Sequence, residues 1–204
     1  MNFALRMFRL LRAPVFASLL GFSVAGCGIN TIPTYQENAK ANWSEVLNQY
    51  QRRADLIPNL VETVKGYAAH EREVLEQVTK ARAQATQVQL QVPPDVLTNP
   101  EAFKRFQEAQ AQLSSALARL LAVSERYPDL KANQNFLALQ SQLEGTENRI
   151  AVARRDYIEA VRQYNTELRT FPGIIWASTL YRSYKPMETF TVSENVTHPP
   201  PVKF

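Results

Sequence analysis

From Trp43 onward the chain sets apolar side chains on alternating three- and four-residue steps, Trp43, Val46, Tyr50, Ile57, Leu60, Val64 and Tyr67, with Arg53 the one polar intruder. That spacing returns to one face of an α-helix and predicts a long amphipathic rod. Thr34 and Glu37 have the T-x-x-E spacing of a capping box, so the rod is expected to start near Tyr35, and Gly66 offers a stop. A second stripe, Val74, Val78, Ala81, Ala85 and Val88, predicts a helix from about Ala69 to Val88. Pro93-Pro94 marks a loop, after which Asn99 is placed to cap and Pro100 to open a third helix carrying Phe103, Phe106, Leu113, Leu117, Leu120 and Tyr127. Pro128 ends it. A fourth helix is expected from about Asp129 to Thr170, because Phe136, Leu143, Ile150, Tyr157 and Tyr164 repeat every seven residues while Leu139, Thr146, Ala153 and Ala160 fill the intermediate positions. Four such helices with short connections bury their stripes most simply as an all-α, elongated antiparallel up-down four-helix bundle with long first and last helices. At about 1.5 Å per residue, those two are rods of roughly 45 to 60 Å.

Beyond Phe171-Pro172-Gly173, the residues Ile174, Ile175, Trp176, Leu180 and Tyr181 form a compact apolar cluster, followed by Arg182, Lys185 and a polar tail that contains His198-Pro199-Pro200-Pro201. The cluster reads either as a cap folded over one end of the bundle or as an interfacial or partner-binding segment, since Trp and Tyr favour such boundaries. The last ten residues read as mobile.

The first 27 residues follow another logic. Met1 to Arg12 is basic through Arg6, Arg9 and Arg12, Ala13 to Val24 is largely apolar, and Val24-Ala25-Gly26 are small or β-branched. This is the three-part layout of a secretory signal, and its apolar run falls short of the roughly 20 residues a bilayer-crossing helix needs. Cys27, the only cysteine in the chain, follows directly. The order resembles the lipobox of bacterial lipoproteins, in which the Cys becomes the acylated first residue of the mature protein. The alternatives are an incidental Cys at the end of an anchor helix and an uncleaved signal anchor in an inner membrane. The expected division is a signal peptide over 1–26, a tether over 27–33, the helical body over 34–170, and the apolar cluster with its tail over 171–204. The expected location is the cell envelope, at the periplasmic face of the outer membrane where the host has two membranes, because Gly28 is not the Asp of the usual retention signal.

Charge and composition narrow the chemistry. Without the leader's three arginines the chain holds 20 basic and 19 acidic residues, so the sequence pI near 9 does not mark a nucleic-acid footprint. One Cys excludes an intramolecular disulfide framework, and six Gly in 204 residues argue against phosphate-cradling loops. The two His, His70 and His198, lack E-x-x-H or H-E-x-x-H spacing, and no nucleophile sits beside a base. His70 reads as a helix-junction residue. The chain therefore reads as non-catalytic, with no cofactor, metal, small-molecule substrate or nucleic-acid partner implied.

Pro58 interrupts the first helix. It lacks an N–H donor and crowds the carbonyl of Ala54, at a cost of about 3 kcal/mol unless something compensates. Arg52, Arg53, Asp55 and Asn59 surround it, so the freed carbonyl can be met by a side chain or by water. Either these charges simply face solvent, or an Arg-Asp network links the first helix to Arg154, Arg155 or Asp156 on the last and fixes their register.

The run from Asn48 to Tyr67, NQYQRRADLIPNLVETVKGY, followed by His70-Glu71, resembles the signature of the bacterial LemA family. Ala153-Arg154-Arg155-Asp156-Tyr157, Tyr164-Asn165 and Phe171-Pro172 are similar to a second block of that family. The resemblance covers about Ala41 to Gly173 and implies an antiparallel four-helix bundle tied to a membrane at its N-terminus. It also makes Arg52, Arg53, Asp55, Pro58, Asn59, Gly66, His70, Arg154, Arg155, Asp156 and Asn165 signature positions or members of a structural polar layer. It implies no established enzymatic activity, and one branch of the family is linked to building magnetosome membranes. The lipobox departs from the commoner family pattern, an N-terminal transmembrane helix. The leading expectation is a scaffold or interaction module bound to other envelope proteins. The alternatives are a self-assembling membrane-shaping protein and, behind it, an enzyme with an unrecognised carboxylate or metal site.

Overall fold

A computed structural model describes residues 28–91, 93 and 95–190; the leader, Cys27 and the tail from residue 191 lie outside the described residues. Within them the chain is all-helical. Six helices occur in order: α1 Thr31–Tyr67, α2 Arg72–Leu90, α3 Pro100–Ser124, α4 Pro128–Lys131, α5 Gln134–Glu167 and α6 Gly173–Thr179, with a 3-10 turn at Val96–Thr98 before α3.

The first helix starts earlier than the T-x-x-E spacing suggests. Ile32 and Ala39 are fully buried and continue the Trp43 stripe upstream, so part of the expected tether is helical and belongs to the core. Asn30 precedes the first turn; the Thr34 hydroxyl donates back to the Asn30 carbonyl, and Glu37 pairs with Lys40 on the surface instead of capping. At the other end the helix runs past Gly66 to Tyr67, and the buried methyl of Ala68 fixes the corner. Gly66 has no neighbour near the position its Cβ would take, so its lack of a side chain is not what turns the chain.

The expected fourth helix is two. Asn133 accepts the Phe136 N–H at 2.9 Å, which caps α5 and separates it from the single turn of α4. Asn99 does the same for α3, accepting from Ala102 at 3.1 Å, with Pro100 at the first helical position. An N-cap of this type contributes about 1 kcal/mol.

Contacts along the rods set their directions. Trp43, Arg53 and Tyr67 of α1 meet Tyr157 and Glu147 of α5 and its cap Asn133 in descending order, so α5 runs antiparallel to α1. Leu47 and Ala54 of α1 receive Gln89 and Arg82 of α2, again in descending order. Trp43, Tyr50 and Arg53 meet Phe103, Phe106 and Ser114, so α3 runs with α1.

The buried stripes divide into two clusters. One is aromatic, gathering Trp43, Tyr50, Phe103, Phe106, Tyr157, Tyr164 and Phe190. The other is aliphatic, gathering Ile57, Leu60, Val64, Val78, Leu113, Leu117, Leu120 and Leu143. Leu75, absent from the expected stripe, is buried in the second cluster, whereas Tyr67 is nearly half exposed.

Candidate functional site

The plane between the clusters is polar. On α1 it is Arg53, between Tyr50 and Ile57; on α3, Gln110, between Phe106 and Leu113; on α5, Thr146 and Glu147, between Leu143 and Ile150. Arg53 is only 1% exposed. A guanidinium there holds its charge only with acceptors close by. One terminal nitrogen donates to the Ser114 hydroxyl at 2.9 Å and to Glu147 Oε1 at 3.0 Å; the other donates to Gln110 Oε1 at 2.7 Å. Its plane also lies over the Tyr50 ring, 5.0 Å from the centroid. Thr146 meets its own need by donating to the Gln142 carbonyl, and it accepts from Arg149.

The fourth long helix joins at nearly the same level. Pro58 leaves the Ala54 carbonyl without its helical donor, and Arg82 of α2 donates its Nε–H to that oxygen at 2.8 Å. The compensation comes from a neighbouring helix, and the residues flanking Pro58 take no part in it. Arg82 was not singled out from the sequence.

The other signature positions are placed as follows. Asp55 sits on the exposed face and accepts from Gln51 at 2.7 Å; two residues from Arg53 is about 200° around a helix, so the two cannot share a face. Arg52, Pro58, Asn59, Gly66 and His70 are also exposed, His70 at the α1–α2 corner. Arg155 and Asp156 pair with each other on the surface at 3.3 Å. The anticipated Arg-Asp link between the first and last helices is thus replaced by Arg53 with Glu147, supported by two polar side chains from α3. Arg154 is half-buried with its guanidinium 4.4 Å from the Phe190 ring. Asn165 is spent on the C-terminal segment, donating to the Met187 carbonyl and accepting the Met187 N–H, both at 2.9 Å.

That segment is the feature the pattern of apolar residues did not announce. After α6 the chain returns as a non-helical strap along α5. The Tyr164 hydroxyl donates to the Lys185 carbonyl at 3.0 Å and the Tyr157 hydroxyl to the Glu188 carbonyl at 2.7 Å, while the Glu188 N–H donates to the Leu97 carbonyl at 2.7 Å. Met187 and Phe190 are buried, and Phe190 packs within about 6 Å of the Trp43, Phe103 and Tyr157 ring centroids. Burial pushes the Tyr164 phenol up to about 12 and raises Tyr157 further. Two tyrosines read as plain seam residues are therefore also clamps. A buried Tyr needs a partner for its hydroxyl, and that was the available signal.

Beside the polar plane, Tyr50, Arg53, Gln110, Ser114, Glu147, Arg154 and Phe190 line a cleft of about 400 Å³. It sets two guanidinium groups against one carboxylate, so its surplus charge suits an anionic group. Burial raises the Tyr50 phenol against the opposing pull of Arg154 and Arg53. A larger groove, about 610 Å³ and mostly apolar, lies toward the other end, between Val61, Lys65, Ala69, Leu75 and Thr79. No cluster of three metal-ligating side chains is found among the described residues.

These buried positions lie within a stretch shared with known proteins. The chain is 27% identical over 157 residues to Magnetosome protein MamQ 2 of Paramagnetospirillum magneticum, covering 70% of this chain and 58% of that protein. It is 25% identical over the same length to Magnetosome protein MamQ of Magnetospirillum gryphiswaldense. To Protein LemA of Metamycoplasma hominis it is 26% identical over 121 residues, covering 59% of this chain and 50% of that protein. The chain thus spans between half and three fifths of the length of these relatives. The family model described as LemA family matches residues 42–204, which takes in α1 from residue 42 onward, the other three long helices and the strap, and the chain belongs to that family.

Proposed function

We propose that this protein is a non-catalytic, membrane-tethered post of the bacterial cell envelope, an elongated antiparallel up-down four-helix bundle that presents its outer faces to other envelope proteins. The observation that carries this reading is the cross-linked plane. Arg53, Arg82, Gln110, Ser114 and Glu147 come from all four long helices and are engaged in holding those helices to one another. Such a plane fixes register and resists sliding of one rod past the next, which is what a scaffold requires. The tether is Cys27, acylated after removal of residues 1–26, and each acyl methylene buried in the leaflet contributes about 0.8 kcal/mol. In a host with two membranes the post stands at the periplasmic face of the outer membrane.

Mass spectrometry of the N-terminal peptide from isolated membranes tests the tether. An acylated Cys27 is expected, and a full-length chain with unmodified Met1 overturns it. Cross-linking in intact cells tests the role, with adducts to other envelope proteins expected. The relatives named magnetosome proteins favour a second reading, a self-assembling membrane-shaping protein. A ladder of self-adducts in the same experiment would decide for it.

A further inference from the structure

Four large apolar side chains that the fold leaves exposed gather where α5 gives way to α6, while others such as Leu90 and Leu137 stand singly elsewhere. Phe171 is 77% exposed and Leu180 61%, with Ile174 and Ile175 each nearly half exposed between them. The turn that presents them is fixed by sterics. A Cβ on Gly173 would overlap the Glu167 carbonyl oxygen, so only glycine lets α6 start this close to the end of α5. Trp176 and Tyr181 turn inward against the aromatic cluster, which anchors the segment to the body while its aliphatic side chains face out. The Trp176 indole N–H has no acceptor among the described residues.

The described residues begin at this same place. Gly28, at φ +103°, makes a turn that a side chain would strain, and its missing Cβ would sit 3.5 Å from Pro172 Cγ and 4.0 Å from Trp176 Nε1. Gly28, where the described residues begin, therefore lies beside α6. Either form of the proposed tether, acyl chains on Cys27 or the uncleaved run from Ala13 to Val24, connects to the body through Gly28. Charge agrees with this placement. From Leu168 to Met187 the chain holds Arg169, Arg182 and Lys185, all exposed, and no Asp or Glu.

We infer that the segment Phe171–Leu180 is a second membrane contact, a foot that lays Phe171, Ile174, Ile175 and Leu180 into the interface of an anionic phospholipid leaflet and sets the post upright on it. Basic side chains flanking an exposed apolar surface bind such interfaces by apolar burial together with attraction to the headgroups. This rests on the membrane-tethered reading and adds a contact that a tether alone does not make. A tethered protein without it would swing freely about Gly28.

The test uses the full chain, purified from bacterial membranes and reconstituted into phosphatidylcholine vesicles with or without phosphatidylglycerol, with lipids brominated on the acyl chains as quencher. Trp43 is buried in the core and serves as the internal unquenched reference. In an Ile175→Trp variant the added emission is expected to be strongly quenched, more so with phosphatidylglycerol. A Leu137→Trp variant reports from an exposed position near the opposite end and is expected to stay bright. Added to the Ile175→Trp variant, Ile174→Glu is expected to leave flotation with the vesicles intact while relieving the quenching of the added emission. Vesicle-bound protein with an unquenched Ile175→Trp overturns the foot and leaves the tether standing; if chemical cross-links then join two Phe171–Leu180 segments, a second copy covers this face instead. Protein that fails to float with vesicles at all overturns both.

Discussion

The two halves of the core, on either side of Arg53, are built by different rules. The aliphatic half is helices alone: Ile57, Leu60, Val64, Val78, Leu113, Leu117 and Leu120 meet across facing stripes, and burial is the principal stabilisation. The aromatic half draws on α1, α3, α5, the 3-10 turn and the strap, and its rings are accompanied by directional bonds from Tyr157, Tyr164 and Asn165. Interchangeable aliphatic side chains tolerate small shifts in register, whereas rings with hydroxyls aimed at particular carbonyls do not. The half beside Gly28 is therefore the one whose geometry is most tightly specified.

Truncating each half at its centre should separate them most sharply. Trp43→Ala is expected to destabilise by about 4 kcal/mol and Leu120→Ala by about 3 kcal/mol in urea unfolding. Hydrogen exchange then distinguishes them: only Trp43→Ala should expose the Glu188 N–H, because Phe190 loses one of the three rings it packs against. Equal exposure in both variants would show that the halves unfold as one.

Arg53→Met tests the divide itself. It keeps much of the side-chain volume but leaves Gln110 and Ser114 short of a donor, at an expected cost of about 2 to 3 kcal/mol. Glu147→Gln retains an acceptor and should cost about 1 kcal/mol. A neutral Arg53→Met would mean the apolar halves merge without penalty.

Alkali acts chiefly on the aromatic half. Tyr164 holds its proton to about 12 in the folded state, against an ordinary value near 10. Its contribution is fully present below pH 10 and is lost as pH rises from there through 12, since the unfolded chain gives up that proton first. Tyr157, also raised, acts in the same direction. Exchange at Glu188 should accelerate across that window before far-UV circular dichroism falls. Asn165→Ala, which removes both bonds to Met187, should cost about 1 to 2 kcal/mol and bring the transition to lower pH.

The smallest effect concerns Pro58. Arg82→Ala is expected to cost about 1 kcal/mol in the native chain and close to nothing once Pro58→Ala has restored the helical donor to the Ala54 carbonyl. Additive effects in the double-mutant cycle would show that Arg82 does not compensate the proline.

What the sequence displayed and what it concealed follow from the range of the forces involved. Stripes such as Phe136, Leu143, Ile150, Tyr157 and Tyr164 announce helices because the period is local. Arg53 showed itself as a break in such a stripe, but its acceptors Gln110 and Glu147 lie on other helices, and loop lengths and caps at Asn99 and Asn133 decide which residues come level. Gln110, flanked by Phe106 and Leu113, carried the same signal and could have been paired with it. The strap is hidden for a different reason: Met187 and Phe190 follow no helical or strand period, and its bonds are made by its backbone, which every sequence shares.

The bond from Glu188 to the Leu97 carbonyl joins positions almost half the chain apart, on a strap whose other acceptors are served by α5. Nothing can occupy that place until α1, α3 and α5 have already come together, so closure of the aromatic half belongs to the last step of folding. A chain still leaving the ribosome can assemble its aliphatic end while the end beside Gly28 stays open, and only the arrival of Phe190 completes it.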